Sequence, residues 1–390
     1  MTPRISPERL QQGLEELARF GGRPDGGVDR LAGTPADLEA RRWLAGRMGE
    51  LGLEAALWLA GRMGELGLEA ALDEVNNVFG HPPGGGPWLL LGSHTDTVPA
   101  GGRLDGAYGV IAALEAYRAV REAAHPAAAR LALVSFHDEE GVSGHGFEGS
   151  EHFCASPSLT FVSGYLELHI EQGPRLEAEG KDLGVVDAIV GIDRYQVEIR
   201  GEANHAGTTP FSYRKDAGRT AARFIGHLRE LVQGVDERMV ANVGSLELEP
   251  GAPNQVPGRA RFLVELRGPA AGLLASAGQV ARDELQRLAA EEGCSVEVAA
   301  QSSWPAMAMF PGYVSALERV CARSGLAWAR LASGAGHDAE ILARHVPAAM
   351  LFVPSRRGIS HSPLEYTDPR LLAQGCQALL EAALEVLGEG

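Results

Sequence analysis

Four short stretches of the chain are almost continuously apolar, and helical patterns separate them. The stretches are residues 88–92, 130–136, 165–170 and 348–353, and a helical pattern follows the first of them at about 109–123. Apolar runs of this length predict buried strands, and their alternation with helices is typical of a mostly parallel sheet covered on both faces. The sequence therefore predicts an α/β domain built on a parallel sheet flanked by helices.

The middle of the chain has a different pattern. Apolar and polar residues alternate at 194–201, 240–249 and 260–267, and helical stretches occur at 217–232 and 272–291. Alternation predicts half-buried strands of an antiparallel sheet, so this part is α+β. Because the continuously apolar pattern returns at 348–353, we expect a second domain, residues 191–304, to be inserted into a first domain formed by residues 1–190 and 305–390.

One segment of the chain is repeated without change. Residues 43–57 read WLAGRMGELGLEAAL, and residues 58–72 repeat the same fifteen residues. An identical tandem repeat indicates a recent duplication or an artefact of the sequence rather than a functional element. The unit has a helical pattern that its glycines weaken. We expect one copy to pack in the core and the other to lengthen the helix or to loop outward.

Composition and charge exclude several classes of function. The 390 residues are 45% hydrophobic and 22% charged, which argues against intrinsic disorder, and the formal net charge is −16. An acidic protein repels phosphate backbones, so we expect no nucleic-acid partner. The apolar runs are too short to span a bilayer and the first residues lack a signal-peptide pattern, so we expect no membrane partner. Four scattered cysteines without a CxxC pair favour a reducing, cytoplasmic compartment.

Side chains that can bind metals or transfer protons follow each apolar stretch. SHTDTVPAGGRLDG follows the first, HDEEG the second, HIEQGP comes at the end of the third and SRRGISHSP follows the fourth. In open α/β sheets, sites form where the carboxyl ends of the strands meet. The candidates at this edge are His94, Asp96, Asp105, Glu139, Glu140, His169 and His361.

These candidates are imidazoles and carboxylates without a cysteine, a set that suits zinc, manganese, cobalt or nickel. Three histidines with two or three carboxylates are too many ligands for one open catalytic ion, but they suit two ions that share a bridging carboxylate and together activate a water. Taken singly, each residue has a simpler interpretation. A lone histidine near a strand end is usually hydrogen-bonded, and Asp105 could be only a turn residue. The coincidence of all four segments favours a metal site.

The remaining histidines fall into two groups. Those interpreted as structural, because they lie in helical or exit segments without carboxylate neighbours, are His125, His227 and His345. Those left open are His81, His137, His145 and His152, of which His145, in GHG, could reach the site.

Seven motifs occur in the order GSHTDTVPAGGRLDG, DEEG, ELHIEQGP, GEANHAGTTP, NQVPG, SGAGHDAE and GISHSPLE. Together they resemble the hydantoinase/carbamoylase branch of the M20 metallopeptidase family, which includes N-carbamoyl-L-amino acid hydrolases, allantoate amidohydrolases and β-ureidopropionase-like enzymes. The motifs span about residues 30–370, and ELHIEQGP with NHAGTTP is specific to the branch. The resemblance implies a di-zinc catalytic domain, an inserted lid and dimerisation domain, and a homodimer.

The resemblance also implies roles for residues of the first domain. Asp96 would orient a ligand imidazole from behind, and Glu139 would be the general base. Adjacent carboxylates at 139 and 140 agree with this division, because one unligated carboxylate is needed to take the proton of water. The implied metal ligands are His94 and His169 on one ion, Glu140 and His361 on the other, and Asp105 bridging both.

Further residues would contact the substrate. His205, on the lid, would reach a neighbouring active site and stabilise the oxyanion, while Asn254 and Arg267 would hold the substrate carboxylate. Simpler interpretations are that Arg267 forms a surface salt bridge and that Asn254 caps a turn. In the first domain the implied contacts are Gln172 with the ureido group, and the Gly358 backbone and His337 as walls of the pocket.

Two positions depart from the family pattern. The family usually has an Arg-Phe pair shortly after Glu-Glu-Gly, whereas here the run is EEGVSGHGFEGS, without the pair and one residue shorter. Glu265 stands where the family often has aspartate in a D-x-R run. Both departures affect substrate contacts rather than metal ligands.

The sequence thus predicts a metal-dependent hydrolase that cleaves the ureido C–N bond of an N-carbamoyl-L-amino acid to the amino acid, CO2 and ammonia. Allantoate amidohydrolase is the nearest alternative, since it uses the same machinery on a ureido-bearing substrate. A dipeptidase or deacylase fits less well, because EQGP and NHAGTTP belong to the ureido-cleaving branch. An inactive scaffold fits less well because the ligand set and Glu139 are complete. The expected partners are a small ureido substrate and a second copy of the chain.

Overall fold

The chain divides into two units, and the second is inserted into the first. The structure, a computed structural model, describes residues 2–55, 73–142, 144 and 146–388. One unit comprises Met1–Asp187 and Met309–Gly390, and the other comprises Ala188–Ala308. The role of the inserted unit as a lid and dimerisation domain stays a prediction. Within the described ranges, no helix is both long enough and apolar enough to cross a membrane.

A single sheet forms the centre of the first unit. With elements numbered in chain order, its strands are β1 (Glu54–Ala55), β2 (Val78–His81), β3 (Trp88–His94), β4 (Leu131–Phe136), β5 (Val162–Ile170), β6 (Leu183–Ile189), β14 (Trp328–Ser333) and β15 (Ala348–Val353). Their order is β1-β2-β4-β3-β5-β15-β6, with β14 also beside β6. The end of β6 continues into the second unit, where it pairs with β13 (Met307–Ala308).

The four strands predicted from the apolar runs, β4, β3, β5 and β15, are neighbours and run parallel. Consecutive residues of these strands are buried, so both faces of the sheet are covered. The prediction of a mostly parallel central sheet is confirmed. The sequence patterns had not predicted β2 and β6, which pair antiparallel with the parallel group on its two sides.

Helices pack around this sheet. They are α1 (Pro7–Ala18), α2 (Pro35–Glu50), α3 (Ala107–Glu122), α4 (Glu148–Ala155), α5 (Arg175–Ala178), α8 (Pro311–Ser324), α9 (Asp338–Leu342) and α10 (Pro369–Val386). The Oγ of Ser6 accepts the Arg9 N–H and begins α1. Helix α3 is buried along most of its length because it packs on β3 and β5 and against α1 and α10.

The second unit has its own antiparallel sheet and core. Its strands are β7 (Gly191–Arg200), β9 (Val240–Glu249), β11 (Arg259–Gly268) and β12 (Ser295–Trp304), in the order β12-β7-β11-β9, and its helices are α6 (Ala217–Gln233) and α7 (Ala271–Glu291). Alternate residues of β11 are buried, and Phe262 packs with Phe224 in the core. A separate pair of short strands, β8 (Asn204–His205) and β10 (Gln255–Val256), completes the unit.

The repeated segment begins inside α2. Leu44 and Met48 of the first copy are fully buried, and β1, near the end of this copy, pairs with β2. Residues 56–72, which include the whole second copy, lie outside the described residues. The expectation that one copy lengthens the helix or loops outward therefore stays a prediction.

Helix α2 also carries a buried arginine beside the sheet. The side chain of Arg41 has no exposed surface, and its Nε donates to Asp37 Oδ1 at 2.8 Å. Its Nη1 donates to the carbonyl oxygens of Asn76 and Phe136, both at 3.1 Å. Its Nη2 lies 3.7 Å from Asp96 Oδ1. One guanidinium thus connects α2 with the end of β4 and with the loop that follows β3.

Substituting Arg41→Met is expected to lower the free energy of unfolding by about 3–5 kcal/mol, because it leaves Asp37 buried without its cation. Arg47→Met on the same helix is the control. Arg47 pairs at the surface with Glu16 and Glu50, so the expected loss is about 1 kcal/mol or less. Urea unfolding of both variants measures the difference, and equal losses would contradict the structural role of Arg41.

Deleting residues 58–72 is expected to leave the melting temperature unchanged or higher, because Leu44 and Met48 of the first copy already fill the core. The copies are identical, so deleting either one gives the same shortened protein. Thermal unfolding of both lengths is the measurement. Leu44→Ala in the shortened protein is the control and should cost about 2–5 kcal/mol. A lower melting temperature after the deletion would show that both copies contribute to stability.

Candidate metal centre

The parallel strands of the first unit end at one edge of the sheet, where the predicted ligands lie. Strand β3 ends at His94, which is opposite Phe136, the last residue of β4. His169 near the end of β5 is opposite Phe352 of β15. Glu139 and Glu140 follow β4, and His361 follows β15. The parallel register therefore brings residues from four distant segments of the chain together.

Asp105 lies at the centre of this group, just before α3. Its Oδ1 is 3.1 Å from the Nε2 of His169 and 3.9 Å from the Nε2 of His94. Its Oδ2 is 3.2 Å from the Nε2 of His361, which is also 3.3 Å from Glu140 Oε2. Two groups of possible metal ligands result, His94 with Asp105 and His169, and Asp105 with Glu140 and His361. The two carboxylate oxygens of Asp105 face different groups.

Backbone carbonyls orient two of the imidazoles. The Nδ1 of His94 lies 3.2 Å from the carbonyl oxygen of Asp96, and the Nδ1 of His169 lies 2.8 Å from that of Ile170. A carbonyl oxygen can only accept, so each Nδ1 carries the proton and each Nε2 keeps its lone pair when the ring is neutral. In the described part of the chain, the buried Nε2 of His94 has no hydrogen-bond partner. The Nε2 of His169 accepts the Gly106 N–H at 3.0 Å. Each ring thus has an Nε2 lone pair directed toward the Asp105 segment.

The titration of the site reflects burial and close pairing. Burial lowers the pKa of His94 to about 3. Burial also opposes charge on His169, but the hydrogen bond and charge of Asp105 outweigh it and raise the pKa of His169 to about 9. The hydrogen bond that the protonated ring of His361 donates to Asp105 raises the pKa of His361 to about 9. Burial opposes charge on Asp105 as well, yet hydrogen bonds from His169 and His361 hold its pKa well below the usual range.

Glu139 and Glu140 occupy different positions despite being adjacent. Glu140 Oε2 approaches His361, whereas Glu139 Oε2 lies 3.5 Å from the Nε2 of His94. Burial, and then the charge of Asp105, raises the pKa of Glu140 to about 8. Burial, and then the charges of Asp338 and Glu140, raises the pKa of Glu139 well above its ordinary value. One carboxylate thus lies among the possible ligands and the other beside them.

The donor set fits divalent cations. It combines imidazole nitrogens with carboxylate oxygens, as zinc and similar ions prefer. The unpartnered Nε2 of His94 and the close approach of several carboxylates are costly without a cation to compensate them. Glu167, His169 and His337 form a third group within ligand distance. However, both Glu167 oxygens already accept hydrogen bonds, from Ser93 Oγ and from the Ala339 N–H.

Asp96 contacts the His94 imidazole through its main chain. Its backbone carbonyl, rather than its carboxylate, accepts from His94, because the nearer carboxylate oxygen is 3.7 Å from the ring nitrogen. Instead Asp96 Oδ2 accepts the Glu140 N–H at 3.2 Å, and Asp96 Oδ1 faces Arg41. Asp96 therefore connects the β3 and β4 loops as well as supporting the imidazole.

Three residues predicted to contact substrate lie near the centre. Gln172 has a left-handed backbone, and its Nε2 donates to Asp105 Oδ2 at 2.8 Å, while its Oε1 is buried without a partner among the described residues. Gly358 also has positive φ, and a Cβ there would lie 2.6 Å from the Pro174 nitrogen. His337 is buried with its ring against His169 at 4.6 Å between centroids, and its Nε2 is 2.9 Å from Ser333 Oγ.

The other predicted substrate residues belong to the inserted unit. The Nδ1 of exposed His205 accepts the N–H groups of Gly207 and Thr208, so its Nε2 carries the proton. The β8–β10 pairing places exposed Asn254 next to the His205 loop, where its carbonyl accepts the Ala206 N–H. Arg267 Nε donates to Glu265 Oε1 at 2.8 Å.

Several residues had not been singled out from the sequence. Glu365 and Ser360 contact the Asp105 loop, and Arg41 contacts Asp96. Glu365 is the last residue of the GISHSPLE motif, and its place in that motif could have indicated a role in the site. Nothing in the sequence distinguished Arg41. His227 was expected to lack a carboxylate neighbour, but its Nδ1 lies 3.1 Å from Glu284 on the adjacent helix. His145 lies outside the described residues.

Comparison with known proteins places this geometry in a family. Residues 90–385 match the pattern of peptidase family M20/M25/M40. The chain is 33% identical to allantoate amidohydrolase of Bacillus subtilis, over 94% of this chain and 95% of that protein. It is also 33% identical to N-carbamoyl-L-amino-acid amidohydrolase of Paenarthrobacter aurescens, over 96% of each chain. A solved structure of a hydantoinase/carbamoylase family amidase from Burkholderia phymatum is similar with a TM-score of 0.85 and 34% identity, over 99% of this chain and 98% of that one.

The resemblance inferred from the motifs is therefore confirmed, as is the expectation of an enzyme. This chain is a member of peptidase family M20/M25/M40, in the branch of the hydantoinase/carbamoylase amidases, and it is a hydrolase of C–N bonds.

Proposed function

We propose that the centre holds two divalent metal ions that share the Asp105 carboxylate. His94 and His169 would bind the first ion, and Glu140 and His361 the second. Zinc suits these donors best, with manganese, cobalt and nickel as alternatives. The observation that carries the proposal is the division of the two Asp105 oxygens between the two groups of ligands.

Two such ions would lower the pKa of a water and polarise a substrate carbonyl. Glu139 would be the general base, because it lies beside the first group without belonging to either. The raised pKa of its buried carboxyl favours proton uptake from water and return of that proton to the leaving nitrogen.

We propose an N-carbamoyl-L-amino acid as substrate. Gln172 would accept a ureido N–H, since its Nε2 is already bound to Asp105 while its Oε1 lacks a partner among the described residues. His205 would donate a hydrogen bond from its Nε2–H to the developing oxyanion. Asn254 and Arg267 would bind the substrate carboxylate. The Gly358 backbone and His337 would form part of the pocket wall.

Addition of water across the ureido C–N bond would release the amino acid and carbamate, and carbamate decomposes to CO2 and ammonia. His205 would act on the site of a neighbouring subunit, in a homodimer formed through the inserted unit. This assignment is supported by the family relationship, and by the exposed position of the His205 loop.

Allantoate is the second candidate substrate. The similarity to an allantoate amidohydrolase equals that to an N-carbamoyl-L-amino-acid amidohydrolase. The same base, metal ligands and carboxylate contacts would serve both substrates. The two candidates therefore differ in the substituent on the carbon between the ureido nitrogen and the carboxylate. That substituent is an amino-acid side chain in one and a second ureido group in the other.

Replacing Glu139→Gln is expected to lower kcat by about 10²–10⁴-fold without loss of bound metal, because the amide cannot take a proton from water. Ammonia release by purified, zinc-loaded protein is the measurement for the ureido substrates, and release of free amino groups is the measurement for the dipeptide, whose hydrolysis yields no ammonia. The substrates are N-carbamoyl-L-methionine, its D-enantiomer, allantoate, N-carbamoyl-β-alanine and a dipeptide. We expect selective turnover of the L-carbamoyl substrate.

Glu340→Gln is the matched control, because Glu340 is also a buried glutamate of the first unit but pairs with Arg344. Its activity should equal that of the wild type. Preference for allantoate would keep the mechanism and replace the substrate, and preference for the dipeptide would overturn the ureido proposal. Full metal loading without turnover of any substrate would favour the inactive scaffold.

The affinity of the metal-free protein for zinc is expected to rise from pH 6 to about pH 9. The pKa values of His169 and His361 are raised to about 9 and that of Glu140 to about 8, so these groups hold protons at neutral pH that a cation must displace. Linkage gives about a tenfold gain per pH unit for each displaced proton. Competition with a chelator of known pH dependence measures it, with His125→Gln as a control distant from these ligands. A pH-independent affinity would contradict the proposed ligand set.

A further inference from the structure

Glu365 holds the backbone of the segment that carries Asp105. Glu365 is only 5% exposed, and its Oε1 accepts the N–H groups of Leu104 at 2.8 Å and Asp105 at 3.1 Å. These partners are separated from Glu365 by about 260 positions in the sequence. Burying a carboxyl group costs free energy unless hydrogen bonds compensate the lost hydration, and the loop before α3 supplies those hydrogen bonds.

The fit between Glu365 and the loop is close. A Cβ added at Gly102 would lie 2.0 Å from Glu365 Oε1 and 2.4 Å from Oε2. The φ of Gly102 is not in the left-handed region, so its backbone does not itself require glycine. The absence of a side chain at Gly102 is therefore explained by the space that the Glu365 carboxylate fills.

A second contact reaches the side chain of Asp105. Ser360 Oγ lies 2.9 Å from Glu365 Oε2 and 2.8 Å from Asp105 Oδ2. The hydroxyl lies between the two carboxylates and can donate its one proton to either of them, and Ser360 directly precedes His361. Glu365 acts on Asp105 in two ways, through the backbone N–H and through the Ser360 hydroxyl.

We propose that Glu365, with Ser360 and the space provided by Gly102, is a positioning residue that sets the orientation of the Asp105 carboxylate between the two metal ions. This inference rests on the proposed bridging role of Asp105. Without Glu365, the N–H groups of Leu104 and Asp105 would lose their acceptor, and the segment would keep the hydrogen bonds that the Leu104 and Asp105 carbonyls accept from Tyr108 and Ala107. Asp105 Oδ2 would then lose its alignment with His361, while the imidazoles at the ends of β3 and β5 would stay in place.

The expected consequence is selective. Ligands held by strands do not depend on Glu365, because the carbonyls of Asp96 and Ile170 orient His94 and His169. The ion shared by Asp105, Glu140 and His361 would bind more weakly. Changes to groups that orient metal ligands typically lower metal affinity or activity by about 10–100-fold.

The test compares Glu365→Ala with Glu365→Gln in the zinc-loaded protein. The amide oxygen of glutamine can still accept from Leu104 and Asp105, and its NH2 can donate to Ser360, so this variant should keep the wild-type affinity. Glu365→Ala should weaken binding of one of two zinc ions by about 10–100-fold and lower kcat with little change in KM. It should also change the visible absorption spectrum of the Co²⁺-substituted protein, which reports ligand geometry. Ser360→Ala, which removes only a hydroxyl, should cause a smaller change of the same kind.

Gly102→Ala provides an independent test. The new Cβ would displace the Glu365 carboxylate, so this variant should reproduce the loss seen in Glu365→Ala. The double variant Gly102→Ala/Glu365→Ala should lose no more zinc affinity than the more affected single variant. In the double variant, the Cβ at position 102 no longer meets a carboxylate. Additive losses of zinc affinity would overturn the assignment.

Glu115→Ala is the control for a merely structural effect. Glu115 is as buried as Glu365, lies on α3 and accepts the Ser6 N–H and two donors of Arg9. It should lose stability but keep zinc affinity and the Co²⁺ spectrum. Equal spectral changes in both alanine variants, or an unchanged zinc affinity in Glu365→Ala, would overturn the positioning role.

Asp105→Asn separates this inference from the proposed function. If Asp105→Asn binds two zinc ions as tightly as the wild type, the bridging proposal itself fails. If Asp105→Asn loses an ion while Glu365→Ala and Gly102→Ala do not, only the role of Glu365 fails. Should Glu365→Ala not fold, Gly102→Ala and Ser360→Ala still decide between these outcomes.

Discussion

The position of one carboxylate, that of Asp105, determines how the rest of the site can work. Its two oxygens face different imidazoles, and each distance depends on the register of parallel strands on either side. Along a strand one residue advances about 3.3 Å, so a shift by two residues would move a ligand by about 7 Å and separate the two groups. Both faces of these strands are packed, so a shift of their register would displace buried side chains on both faces at once. The packing of the core and the geometry of the site are thus the same constraint.

The electrostatics of the site follow from the density of buried acids. Asp96, Asp105 and Glu139 are all buried at this edge, and the pKa values of Asp96 and Glu139 are raised, first by burial. Arg41 contributes positive charge next to Asp96. The imidazoles approach the other carboxylates, as His94 does Glu139. A cluster of buried acids destabilises the fold unless cations compensate its charge, so the proposed metal ions would also stabilise the fold.

The two units divide the work that the family relationship implies. The first unit carries the proposed metal ligands and the proposed general base at one sheet edge. The second unit carries Arg267 on its four-stranded sheet, and His205 and Asn254 at the separate β8–β10 pair. In the second unit Glu265 accepts from both Arg194 and Arg267, so the longer carboxylate that departs from the family pattern is fully engaged. A shorter aspartate would reach less far. Variation at this position would therefore change the position of the Arg267 side chain, and the proposed metal ligands belong to the other unit.

The sequence by itself determined the four parallel strands, the antiparallel character of the inserted segment and the group of candidate ligands that follow the strands. These are local properties, because hydrophobic periodicity records burial and the residues after a strand must lie at its end. Only the tertiary structure decided the neighbours of each strand, the carbonyls that orient His94 and His169, and the contacts of Arg41 and Glu365 with the site. Those contacts join residues up to about 260 positions apart, and no local pattern records the partner of a buried polar group. Which group becomes that partner depends on which buried donors and acceptors the completed fold brings within hydrogen-bond distance.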